Sequence, residues 1–174
     1  MAEHNRPTGN EFAPTPPQGE FIIKKIYIKD VSFETPNTPE MFNLEWKPDA
    51  DVNLRTEVAQ LAPGEFEVTL AITATVNIGE KSAFLAEVQQ SGVFGITGLT
   101  TEELGPVLGA YCPGMLYPYA REMISDLVVR GGFPPFVLAP VNFDALYEHK
   151  RTEQQIAAQD DAGKGPAFNA STAD

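Results

Sequence analysis

The chain of 174 residues carries one cysteine, two histidines and one tryptophan. A lone Cys112 excludes any disulfide framework within the chain and suits a reducing compartment, so a cytoplasmic location is expected. His4 lies near the amino terminus and His149 near the other end. Neither is placed to pair with Cys112 or a core serine, which removes the usual nucleophile-base arrangements. No Cys/His spacing suited to zinc, no GxxxxGK[ST] loop and no dinucleotide fingerprint is present, so no metal or other cofactor is expected. Carboxylates are plentiful, but Glu102 and Glu103 read as helix-start charges, and Glu67 and Glu87 as solvated strand positions. An enzyme is therefore not expected. Apolar runs are also short: none reaches the about 18 residues that a membrane-spanning helix needs. The amino-terminal MAEHNRPTGNEFAPTPPQGE has no basic head followed by an apolar stretch, so it does not read as a signal peptide.

Positive charge is scarce too. Twelve Lys and Arg stand against 24 Asp and Glu, for a net charge of -12. Between Asp30 and Glu103 thirteen acidic residues face only Lys47, Arg55 and Lys81, a balance of -10 in that stretch alone. Such a surface repels nucleic acid and anionic membrane and favours basic partners. The plainer reading is that the acidity only keeps the protein in solution.

The strongest pattern that is present runs from Phe66 to Ile78. Phe66, Val68, Leu70, Ile72, Ala74, Val76 and Ile78 take one side, and Glu67, Thr69, Thr73, Thr75 and Asn77 the other. That period of two predicts a half-buried strand, roughly 44 Å long at about 3.4 Å per residue. Its length calls for an equally long covering layer, which one small subunit is not expected to supply alone. Glu20 to Glu34 reads as a first strand, with Phe21, Ile23, Tyr27, Val31 and Phe33 on one side and Ile22, Ile26, Ile28, Asp30 and Glu34 on the other. Pro36, Asn37 and Pro39 force a loop, near whose end stand Trp46 and Pro48. Val52, Leu54 and Val58 then alternate through a second strand. Gly79 turns the chain by taking positive φ, and Ser82 to Ile96 returns with Phe84, Ala86, Val88, Phe94 and Ile96 on one face. Strands two to four thus form a meander, with the first pairing at one side.

After Gly98 the period changes. Thr100-Thr101-Glu102-Glu103 resembles a capping box, while Pro113 and Pro118 predict a kink or short break. Leu116, Tyr119, Ala120, Met123, Ile124, Leu127 and Val128 follow helical spacing as one apolar stripe, ended by Arg130-Gly131-Gly132. A second helix should start near Asn142 or Asp144 and run towards Ile156. Between the helices lies Phe133-Pro134-Pro135-Phe136-Val137-Leu138-Ala139-Pro140, whose apolar side chains either pack onto the body or line a surface for something else. The folded body is thus 20–156. Segments 1–19 and 157–174 have little to bury and read as disordered tails.

YIKDVSFETPN at 27–37, SAFLAEVQQSGVF at 82–94, LGAYCPGMLYPYAREMISDLVVRGGFP at 108–134 and LAPVNFDALY at 138–147 together closely resemble the SecB family of protein-export chaperones. The amino-terminal tail looks longer than in better-known members, and residue 86 is Ala where some carry Cys. The resemblance implies an α+β fold: a four-stranded antiparallel sheet backed by two helices, assembling as a dimer of dimers. It implies a non-enzymatic function, binding unfolded precursor proteins in the cytosol and passing them to the motor ATPase SecA. It also implies a SecA-binding site at Asp30, Glu34, Leu85 and Glu87. For the homotetramer, the stripe residues Leu116, Tyr119, Met123, Ile124 and Leu127 are expected to meet a neighbouring copy. For the client groove, the apolar residues least committed to the sheet core are Trp46, Val52, Leu54, Phe133, Phe136, Leu138 and Tyr147. The alternatives are an acidic oligomeric adaptor whose apolar loop is packed core, or a SecB-like chaperone dedicated to one client, such as an antitoxin.

Overall fold

The computed structural model describes residues 19–163, with side chains through residue 157. The segments 1–18 and 164–174, which hold His4 and most of the two expected tails, lie outside the described residues. Four strands come first: β1 (Glu20–Glu34), β2 (Asp49–Ala62), β3 (Glu65–Ile78) and β4 (Lys81–Thr97). Helices follow: α1 (Thr101–Pro106), a π-helical turn (Val107–Tyr111), α2 (Cys112–Arg130) and α3 (Phe143–Gly163). The sheet is antiparallel with order β1-β4-β3-β2, so the meander and the side pairing of the first strand are as the pattern indicated.

The alternation in β3 does what period two dictates. Val68, Leu70, Ile72, Ala74 and Val76 are fully buried on the helix side, joined by Phe84, Ala86, Val88 and Phe94 from β4. α2 lies across β4 and β3 and completes the core with Leu116, Ala120, Ile124 and Val128. At Gly92 the helix comes so near that an added Cβ would stand 3.1 Å from Leu116 Cδ2.

β1 departs from simple alternation. Irregularities in pairing with β4 between Ile23 and Lys25, and again between Ile28 and Asp30, each slip the phase by one residue. Ile26 and Ile28 therefore pair opposite Gly92 and Gln90 on the helix side, while Tyr27 pairs with Ser91 on the outer side. The expected grouping of Tyr27 with Phe21 and Val31 is thus corrected. A β-bulge inverts the faces of all that follows it, and the second bulge restores the phase for Val31 and Phe33.

The capping box forms as its spacing suggested: Thr100 Oγ1 accepts from the Glu103 N–H at 3.3 Å, and the Thr100 N–H donates to Glu103 Oε2 at 2.8 Å. The expected break at Pro113 or Pro118 does not occur, because α2 runs unbroken through both. The irregularity lies one turn earlier, where the Cys112 N–H reaches Val107 O across a π turn. Widening there eases the clash of the Pro113 ring with the carbonyl four residues back. The second helix begins as expected, with Asn142 Oδ1 accepting from the Ala145 N–H at 3.0 Å, but it continues to Gly163, beyond Ile156.

Candidate polypeptide groove and acidic sheet face

The interhelix loop is held down by its own backbone. The Tyr117 hydroxyl donates to the Ala139 carbonyl, and Ser125 Oγ to the Phe136 carbonyl at 3.0 Å. The loop's prolines cannot donate, so its carbonyls are satisfied from α2. Phe133, only 5 % exposed, lies 5.2 Å between ring centres from both Phe42 and Phe84 and 5.9 Å from Trp46. Phe136 meets Phe84 edge-on at 5.9 Å. Leu138 is 3 % exposed. The loop therefore packs onto the body.

Packing does not close the surface completely. Met41, Phe42, Leu44 and Trp46 on one side and Gly132, Phe133 and Pro134 on the other line an apolar cavity of about 360 Å3. Along β2, Val52, Leu54, Thr56 and Val58 pair with Ala74, Ile72, Leu70 and Val68, so they share the helix-facing side of the sheet. Their β3 partners are fully buried, whereas Val52 is 36 % and Val58 46 % exposed, because α2 covers β4 and β3 and leaves β2 largely open. A second cavity, of about 190 Å3, lies at the far end, lined by Thr56, Val58, Leu146, Tyr147, Lys150 and Arg151 among others. The outcome is an apolar path along β2 with a cavity at each end.

Of the expected groove residues, Trp46 and Phe133 share the first cavity, Val52 and Leu54 lie on the strand between, and Tyr147 lines the second. Phe136 and Leu138 line neither; both pack inward against the core. Sequence reasoning missed Met41, Phe42, Leu44 and Val58, although an apolar Met41-Phe42 and Leu44 among prolines was an available signal. Of the expected interface residues, Leu116 and Ile124 are fully buried in the subunit's own core, so they cannot meet a neighbour. Each sits where helical spacing turns towards the sheet, leaving Tyr119 (52 % exposed) outward and Met123 and Leu127 half-buried.

The outer face of the sheet is divided by charge. At one end Glu34 pairs with Leu85, Ser32 with Glu87 and Asp30 with Gln89, which sets Asp30, Glu34, Leu85 and Glu87 side by side on one face. These three carboxylates form no ion pair among the described residues. At the other end the charges neutralise one another: Lys24 pairs with Glu65, and Glu67 takes Lys29 at 2.8 Å and a hydrogen bond from the Tyr27 hydroxyl. Lys29 and then Tyr27, by donating to it, hold the Glu67 carboxyl below the usual carboxylate range. The same Glu67 contact raises the Tyr27 hydroxyl.

Chemistry of other kinds finds little footing. Burial pushes the Cys112 thiol up to about 12, so no thiolate forms near neutrality. Among the described residues no group of three or more His, Cys, Asp or Glu could hold a metal ion, and no helix is long and apolar enough to cross a membrane.

An α+β subunit with an open apolar path beside one edge strand and an unpaired acidic patch on its outer face is built to bind other chains. Comparison with known proteins makes the class specific. The family described as preprotein translocase subunit SecB matches residues 14–154. The protein-export protein SecB of Methylococcus capsulatus is 54% identical over 143 residues, covering 82% of this chain and 92% of that protein. That of Nitrosococcus oceani is 50% identical, covering 80% and 87%. The chain belongs to the SecB family. In fold it is similar to a SecB-like chaperone of Mycobacterium tuberculosis, solved in complex with an antitoxin peptide, with TM-score 0.58, 19% identity, and 70% of this chain and 90% of that one covered.

Proposed function

We propose that this chain is a chaperone for preprotein export that holds unfolded precursor proteins along the open side of β2, without nucleotide, and hands them in the cytosol to SecA. The observation that carries the reading is the uncovered apolar path from the Trp46-Phe133 cavity through Val52 and Leu54 to Tyr147. An unfolded precursor exposes apolar segments, and burying them at about 25 cal/mol per Å2 supplies affinity without chemistry. Such binding asks little of sequence, as a chaperone with many clients requires. Assembly of copies into a homotetramer, with Tyr119 and the half-buried Met123 and Leu127 at the contact, sets several grooves before one long client and multiplies its affinity. Asp30, Glu34 and Glu87 around Leu85 offer a basic segment of SecA a flat acidic seat, whose contribution falls largely on encounter rate and specificity.

Light scattering of an unfolding client tests the groove: the protein suppresses aggregation with no nucleotide added, and Leu54→Ser with Phe136→Ser weakens that suppression. Unchanged suppression at unchanged stability places the client elsewhere. Calorimetry tests the seat, since Asp30→Lys with Glu87→Lys weakens SecA binding and leaves client capture intact; an unaltered, salt-insensitive affinity refutes it.

A further inference from the structure

The groove ends in a cavity whose charge is opposite to that of the chain around it. α3 turns one face towards β2, carrying Leu146, Lys150 and Gln154 at intervals of four, with Tyr147 and Arg151 beside them. The apolar floor comes from Val58, Leu146 and Tyr147, and no Asp or Glu lines it. Two cations thus stand over a greasy opening in a protein of net charge -12. Arg151 reaches Glu148 at 3.0 Å, but both side chains are more than half exposed, so that pair holds loosely. Lys150 is half-buried and pairs with no carboxylate among the described residues.

At about 190 Å3 the cavity has room for little more than one side chain. An apolar side chain entering it brings its backbone neighbours past Lys150 and Arg151. A carboxylate there gains a charged partner at the edge of a low-dielectric surface, where a pair counts for more than in open water. A polyanion such as nucleic acid does not fit, because the acidic sheet region alongside repels it. We infer that the α3 end of the groove selects client segments in which an apolar residue is flanked within a position or two by Asp or Glu. Because the Trp46 end has no such cations among its lining residues, the selection also fixes the direction in which an extended client lies along β2. This rests on the groove reading given above.

The test uses three labelled peptides with one apolar core and with Glu, Gln or Lys flanking it, titrated by fluorescence anisotropy against the full chain at low and high salt. The Glu-flanked peptide binds the wild type about fivefold more tightly than the Gln-flanked one, in the range of partly exposed pairs, and the Lys-flanked one binds least. Lys150→Gln with Arg151→Gln, both on the outer part of a helix, removes the order while leaving Gln-peptide affinity unchanged. Val58→Asp weakens all three and so reports on the groove itself. Equal affinities in the wild type, or an order that survives the double variant, overturn the selection while the groove stands. If Val58→Asp leaves every affinity unchanged, the groove reading fails and the selection with it.

Discussion

The attachment of α3 to the body depends on two missing side chains. Gly105 and Gly109, four residues apart across α1 and the π turn, make a notch into which Tyr147 fits. An added Cβ at Gly109 would stand 2.5 Å from Tyr147 Cε2 and closer still to Cδ2, and one at Gly105 would stand 2.6 Å from the Tyr147 hydroxyl. Contact between carbons is comfortable at about 3.5 Å, so Gly109→Ala pushes the ring out by about an ångström. Two effects then oppose each other. Alanine favours the helical backbone by about 1 kcal/mol over glycine, while undocking a half-buried tyrosine forfeits about 1–2 kcal/mol of apolar burial. Global stability from urea denaturation should therefore move by no more than about 1 kcal/mol. The loss concentrates in α3, where Phe143 against Tyr117 remains as an anchor, and amide exchange over residues 143–157 should quicken by roughly five- to thirtyfold. Tyr147→Ala should produce much the same acceleration, and adding it to Gly109→Ala should change little more, since both remove one contact. Wild-type protection of α3 in Gly109→Ala, or full additivity of the two changes, would refute the notch as the anchor.

Ile124→Asp places an unpaired carboxylate in a fully buried site and should cost several kcal/mol, lost as cooperative melting. Tyr119→Asp, on the exposed side of the same helix, should keep the subunit folded by circular dichroism and lower the mass seen by light scattering. Thr100→Ala removes the helix cap and should cost about 1 kcal/mol in denaturant titration, with Thr100→Ser close to wild type. Because the folded Glu67 carboxyl is held low, its stabilisation is present above the ordinary glutamate range and is lost as pH falls through the lowered value. The stability gap between wild type and Glu67→Gln should accordingly be open at pH 7 and close in acid below the usual carboxylate range; a gap constant with pH would remove the charge from the explanation.

Much of the architecture is written in local periods. Phe66 to Ile78 could be nothing but a strand with one buried side, the capping box at Thr100 fixed where the helices begin, and Asn142 marked the next start. These are decided within a few residues by steric preference and by which side of the backbone each Cβ takes. The acidity of the sheet region and the shared face of Asp30 with Glu34 and of Leu85 with Glu87 were legible for the same reason; the strand register decided that the two pairs lie together.

What the tertiary structure alone decided are matters of contact between elements distant in the chain. The two bulges of β1 follow from fitting that strand to β4, and they moved Tyr27 outward to Glu67 and Ile26 inward, against plain alternation. The apolar stripe of α2 was visible in sequence, but which part of it faces the sheet depends on where the helix lies, and that put Leu116 and Ile124 in the core. The groove depended on coverage: Val52 and Val58 have the same pattern as any half-buried strand residue and stay open only because α2 ends its cover at β3. Burial is a property of what lies above a residue, and no local period in the chain encodes that.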